Sequence, residues 1–139
     1  MTTTPIELPG GCIHEVTVAG PGRGESRFVR QMGPPGHYGH VVLTVEPTSE
    51  SNFVLEWAVD ESSIPVKFLP AILKGISATC TPGDVFQRCR FVHTKVRVIG
   101  GSTHEIDSKE LSFTMAAHSA FTQAVARGQL KDHPTERSA

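Results

Sequence analysis

Between Gly39 and Glu46 the chain alternates strictly: Val41, Leu43 and Val45 fall on one side, His40, Val42, Thr44 and Glu46 on the other. A repeat of two belongs to an extended strand with one buried face, so an all-helical fold is excluded. Arg27 to Gln31 is a second extended run, and Gly33-Pro34-Pro35-Gly36 supplies turn chemistry between the two. The pattern predicts a long hairpin with Met32 to Tyr38 at its tip.

The other strands are read in the same way. Ile13 to Val18 is β-prone, and the run Gly20-Pro21-Gly22-Arg23-Gly24 after it reads as a flexible hairpin turn. Phe53, Leu55, Trp57 and Val59 alternate beyond a polar turn at Pro47 to Asn52. From Phe91 to Ile99, Val92, Thr94, Val96 and Val98 oppose Lys95 and Arg97, and Gly100-Gly101 closes the run.

Two segments carry a helical period instead. Leu69, Ile72, Leu73, Ile76 and Cys80 share one face, which places Pro70 in the first turn and Pro65 in an irregular or 3₁₀ turn before it. Thr81-Pro82-Gly83 stops this helix. The second spans about 108 to 126, with Phe113, Ala116, Ala117, Ala120 and Ala124 along one stripe and Gly128 as C-cap. Asp107 and Glu110 have the spacing of an acidic capping box, and Ser108 is a competing cap. The order strands, helix, strand, helix implies an α+β domain with both helices on one face of a mainly antiparallel sheet.

A chain of 139 residues is one domain's worth. Its boundaries read as an irregular lead-in over 1–10, one domain over 11–127 and a flexible tail over 128–139. The net charge of −1 excludes a surface built for indiscriminate nucleic-acid binding, which needs clustered Lys and Arg. Cys12, Cys80 and Cys89 lack the close spacings of a zinc site or redox pair and read as reduced thiols. With no basic leader and no long apolar run, a cytoplasmic location without membrane association is expected.

Catalytic patterns fare poorly. There is no phosphate-binding Gly-x-x-x-x-Gly-Lys-Ser/Thr loop, so no GTP binding is expected of this chain. His37 and His40 lack a nearby carboxylate or thiolate partner in sequence, so no metal or other cofactor is assigned. His104, Asp107 and Ser108 crowd one helix start too tightly to divide base, orienter and nucleophile between them.

Two loops do point somewhere. The stretch from Phe28 through Arg30, Gln31, Gly33, Gly36, His37, Tyr38 and Gly39 to Val41 resembles the first tip loop of domain IV of the ribosomal translocase, elongation factor G, a pattern shared by the ribosomal protection proteins. Val96 to Ala117, through Asp107, Ser108, Glu110 and Phe113, resembles the second tip loop and last helix of that domain. Ile64-Pro65 and Phe68 to Ile76 are similar to its first helix.

The resemblance implies a two-layer sandwich with a mainly antiparallel four-stranded sheet, two helices on one face and a left-handed crossover. It also implies a non-catalytic module whose two tips contact messenger or transfer RNA on the small ribosomal subunit. The contact residues so implied are Arg30, Gln31, Gly33, Gly36, His37, Tyr38 and Gly39 in the first loop, and His104, Glu105, Asp107 and Ser108 in the second. Where the family's first tip usually runs Gly-Gly-Arg-Gly-Gln, this chain has Gly33-Pro34-Pro35-Gly36-His37, which removes a guanidinium and two amide donors. A protein-interaction module that keeps the fold without the ribosome is the alternative.

Overall fold

The structure, a computed structural model, describes residues 3–30 and 36–133. In chain order the elements are β1 (Thr3–Pro5), β2 (His14–Val18), β3 (Gly22–Arg30), β4 (His37–Pro47), β5 (Phe53–Trp57), a 3₁₀ turn (Val66–Phe68), α1 (Leu69–Ala78), β6 (Cys89–Phe91), β7 (Thr94–Ser102), α2 (Glu110–Gly128) and β8 (Leu130–Asp132). Among the described residues, no helix is long and apolar enough to cross a membrane.

The principal sheet has the order β1-β5-β7-β4-β3. It is antiparallel except where β5 and β7 run parallel, the geometry that a crossover through α1 requires. The α+β class therefore stands, but the sheet is mixed and five-stranded, not four-stranded. The fifth strand is β1, from a segment expected to be irregular: Thr3–Pro5 pairs with Glu56, Leu55 and Val54, and Ile6 joins the core.

A second sheet, β6-β2-β8, was not legible in the sequence. The apolar run from Phe91 to Ile99 is not one strand. The chain turns at His93, where φ is +51°, so β6 pairs with β2 while β7 enters the main sheet. Nor do Gly100 and Gly101 close β7. They carry it through a register shift opposite Val42 and Leu43 as far as Ser102. Leu130 to Asp132, expected to lie in a frayed tail, pairs with Val18, Thr17 and Val16.

The buried face of the main sheet is the one its alternation marks: Val41, Leu43, Val45, Val96 and Val98 are all inaccessible to solvent. Above them lie the α2 stripe of Phe113, Ala116, Ala117, Ala120, Phe121 and Ala124, and Ile72 and Ile76 of α1, in one continuous core. Phe121 packs against Phe53, Phe86 and Phe91, and Phe68 against Phe113 with ring centroids 4.4 Å apart. Pro70 sits in the first turn of α1, after a 3₁₀ turn that begins beyond Pro65, as its ring requires. Cys80 lies in this core, and burial pushes its thiol up to about 12.

The glycine run is where the sequence misleads most. Gly22 and Gly24 belong to β3 and are not a flexible turn. A Cβ on Gly22 would stand 2.0 Å from the Ala124 carbonyl oxygen, and one on Gly24 would stand 1.9 Å from that of Ala120. Close approach of the α2 backbone is what demands glycine there. The same crowding shifts the end of the helix. Gly128 is its last helical residue, with Gly20 O 2.6 Å from where its Cβ would be, and Gln129 takes the left-handed φ of +71°.

Gly24→Ala is therefore expected to destabilise the domain by about 3 kcal/mol, because the clash is with backbone and cannot be relieved by a rotamer. Gly20→Ala, with open space around it, is expected to change stability by less than about 0.5 kcal/mol. Urea unfolding checks both through the midpoint; equal midpoints for the two variants would contradict the close-approach argument.

Candidate functional site

The described ends of the two loops meet at one edge of the fold. β3 ends at exposed Arg30, and β4 returns through His37 and Tyr38, opposite Arg30 and Val29. Past Ser102, β7 leads into a tight turn from His104 to Ser108, closed by the Ser108 N–H donating to His104 O at 3.0 Å. α2 then begins at Glu110.

Main-chain hydrogen bonds stitch the loops together. Tyr38 N–H donates to Asp107 O at 3.0 Å, and Ser108 Oγ donates to Tyr38 O at 2.7 Å. The same Ser108 oxygen accepts the His104 N–H at 2.7 Å, while Lys109 Nζ donates to Gly36 O. The Asp107 carboxylate reaches across to Gly36 and lies 2.9 Å from where a Cβ there would stand. Gly39 is buried under α2, with Ser112 O 2.6 Å from its Cβ position.

The helix cap differs from the expected one. The N-cap is Lys109, and Ser112 Oγ accepts its N–H at 3.2 Å. Asp107 is turned toward Gly36 and His104, so neither the Asp107–Glu110 pair nor Ser108 caps α2. The helix accordingly starts two residues later than the capping pattern suggests.

These contacts divide the expected contact residues by what they do. His104 and Glu105 are exposed at the crown of the second loop, with Arg30 exposed on the first. Ser108, Asp107, Gly36 and Gly39 hold the loops together. His37 lies on the helix side of β4, where Nδ1 is 3.2 Å from Ser112 Oγ and the ring meets Phe28 edge-on. Gln31 and Gly33 lie outside the described residues.

His104 has its own internal role. Its Nδ1 accepts the N–H groups of Ile106 and Asp107 at 3.3 and 3.2 Å, as a capping side chain would. That nitrogen therefore carries a lone pair, and the ring proton sits on Nε2. The ring presents this donor next to the Tyr38 ring, with centroids 6.2 Å apart.

Sequence reasoning missed a further layer. Tyr38 Oη is 2.8 Å from Ser102 Oγ, which is 2.9 Å from His40 Nδ1, and His40 Nε2 is 2.7 Å from Glu25 Oε2. These residues lie on three strands, and only the register, with His40 opposite Ser102 and Arg27, brings them together. The hydrogen bond from His40, opposed by slight desolvation, holds the Glu25 carboxyl below its ordinary value.

Two outcomes follow. Ser108→Ala removes the acceptor of the His104 N–H and the donor to Tyr38 O. It should cost about 1–2 kcal/mol and speed amide exchange at His104 at least tenfold, and unchanged exchange would deny Ser108 its bridging role. Because the Glu25 carboxyl is lowered in the folded state, its contribution is present above its unfolded value of about 4.3 and is lost as pH falls through the folded one. Wild type should thus be more stable than Glu25→Gln near pH 7, with the gap closing below about pH 4.3 in urea titrations. A gap that stays open as pH falls well below about 4.3 would reverse the assignment.

The family of elongation factor G, domain IV, matches residues 12–129. Elongation factor G of Thermotoga petrophila is 36% identical over 116 residues, which is 81% of this chain and 16% of that protein. The protein of the same name in Petrotoga mobilis is 35% identical over 119 residues, 84% of this chain and 17% of that one. A crystal structure of a protein from Thermus thermophilus has a TM-score of 0.74 at 32% identity, over 89% of this chain and 18% of that one. This chain thus spans a small part of the length of the relatives it matches. The matched span takes in both loops, both helices and the strands between them, and the chain belongs to the elongation factor G domain IV family.

Proposed function

We propose that this domain is a non-catalytic, ribosome-associated module whose paired loops contact RNA, messenger or transfer, on the small ribosomal subunit in the cytoplasm. One observation carries the reading within the family. The loops from Gly36 to Tyr38 and from His104 to Ser108 are fastened side by side, and among the described residues the His104 Nε2–H has no partner and can donate outward. Main-chain anchoring supports contact over motion, because a surface held in register before binding loses less entropy on binding. The reading assigns this chain no GTP hydrolysis and no cofactor.

The charge pattern supports local contact. On the outer face of the sheet, Arg97 is 3.0 Å from Glu56 and 3.7 Å from Glu46, and Lys95 is 3.6 Å from Glu56. Cations so matched are poor counterion substitutes for phosphate. Exposed Arg30 and His104 at the tip are better placed.

Exposed Ile106, 79% accessible at the crown of the second loop, favours a second reading, a protein-interaction tip. Co-sedimentation with small ribosomal subunits at low salt separates the two. Wild type should pellet with subunits and His104→Ala should pellet about tenfold less tightly, the loss of one hydrogen bond. If wild type stays in the supernatant while Ile106→Asp abolishes capture by a specific protein, the second reading replaces the first.

A further inference from the structure

The chain of contacts from Glu25 to Tyr38 has a direction. An ionised carboxylate only accepts, so the 2.7 Å contact from Glu25 Oε2 requires the proton on His40 Nε2. In the neutral imidazole Nδ1 is then a bare lone pair, and Ser102 Oγ at 2.9 Å must donate to it. Ser102 has one proton and has spent it, so the hydroxyl of Tyr38, 2.8 Å away, must donate to Ser102. The phenol proton is thereby used internally, and Tyr38 offers an incoming group lone pairs only.

His104 beside it is the opposite. With Nδ1 occupied by two backbone N–H groups, it offers a donor only. Among the described residues, the neighbouring rings of His104 and Tyr38 therefore present a fixed donor and a fixed acceptor. A ligand matching both carries an acceptor and a donor side by side. In nucleic-acid backbones the phosphate oxygens and sugar ether oxygens are all acceptors; the 2′-hydroxyl is the one donor, and only RNA has it.

We propose that Tyr38, oriented by Ser102, His40 and Glu25, accepts a hydrogen bond from a ribose 2′-hydroxyl while His104 Nε2–H donates to an adjacent backbone oxygen, so that the tip selects RNA over DNA without reading sequence. The inference rests on the RNA-contact reading above. Glu25, His40 and Ser102 act as positioning residues, and their carboxylate–imidazole–hydroxyl order is used to fix a proton's place.

The test uses the full chain at low salt and pH 8, well above the ordinary histidine value of about 6.5. Oligouridylate, its 2′-deoxy counterpart and its 2′-O-methyl counterpart, all of one length, are titrated while the amide signals of Tyr38 and His104 are followed by NMR. Oligouridylate should bind about tenfold more tightly than both analogues, since the 2′-O-methyl group keeps the oxygen and removes the donor. Tyr38→Phe should bring that ratio close to one, and Ser102→Ala, which frees the phenol proton to turn outward, should reduce it. Long-range nitrogen–proton correlations should place the His40 proton on Nε2, a readout that holds whether or not a variant folds well.

Equal affinity for the three oligomers, a ratio unmoved by Tyr38→Phe, or a proton on His40 Nδ1 would each overturn the inference and leave RNA contact standing. Failure of all three oligomers and of small subunits to bind would overturn the RNA-contact reading and the inference with it.

Discussion

The structure depends on how closely α2 approaches everything around it. Four glycines on three elements stand where carbonyl oxygens of this helix leave no room for a side chain: Gly22 under Ala124, Gly24 under Ala120, Gly39 under Ser112 and Gly75 of α1 under Thr114, with oxygens 1.9 to 2.6 Å from the missing Cβ positions. The alanines at 116, 117, 120 and 124 keep the helix's own surface flat to match. Backbone thus meets backbone on both sides, and the contact fixes translation along the helix as well as distance. From Ser112 to Ala124 the helix rises about 18 Å, so the glycines set where β3 and β4 stand along its length.

The tip inherits that precision. Ser112 is at once the residue over Gly39, the acceptor of the Lys109 N–H and the neighbour of His37, so the first turn of α2 cannot move without moving β4. Beyond it the loops have little apolar surface to bury, and their order comes from hydrogen bonds to main chain, each worth about 1 kcal/mol net. On the outer face of the sheet, Lys95 and Arg97 are matched by Glu56. A domain with a net charge of −1 can still bear a contact surface, provided that its donors and acceptors are few and held in place.

Periodicity made the core legible, because burial on one face leaves a repeat of two or 3.6 that no other arrangement explains. Val41, Leu43 and Val45, the Phe113-to-Ala124 stripe and the proline at the start of α1 were all visible in this way. What stayed hidden was set by partners distant in sequence. Gly22 and Gly24 read as turn residues, since nothing in the local pattern reports a helix one hundred residues later. His93 broke an apolar run without a proline or glycine, by adopting a positive φ that its composition does not announce. At the tip, the second loop could be read as a helix start with a histidine before it, but the cap passed from Asp107 to Lys109 and Ser112 because Asp107 packs toward the other loop. The Glu25–His40–Ser102–Tyr38 series needed the strand register, and one residue of slippage would have placed His40 on the core face.

The altered first tip sequence acquires a physical meaning from these contacts. Among the described residues, the hydrogen bonds that the second loop makes to the first all use its main chain: the Gly36 carbonyl, the Tyr38 N–H and the Tyr38 carbonyl. None of these groups belongs to Pro34, Pro35 or the side chain of His37. The His37 side chain, which stands where the family usually has an amide, faces Ser112 and Phe28 and takes no part in these bonds. In the second loop, His104 is held by its own backbone through the Ile106 and Asp107 N–H groups. The described hydrogen bonds thus account for the pairing of the loops without calling on the side chains in which the first tip departs from the family's usual sequence.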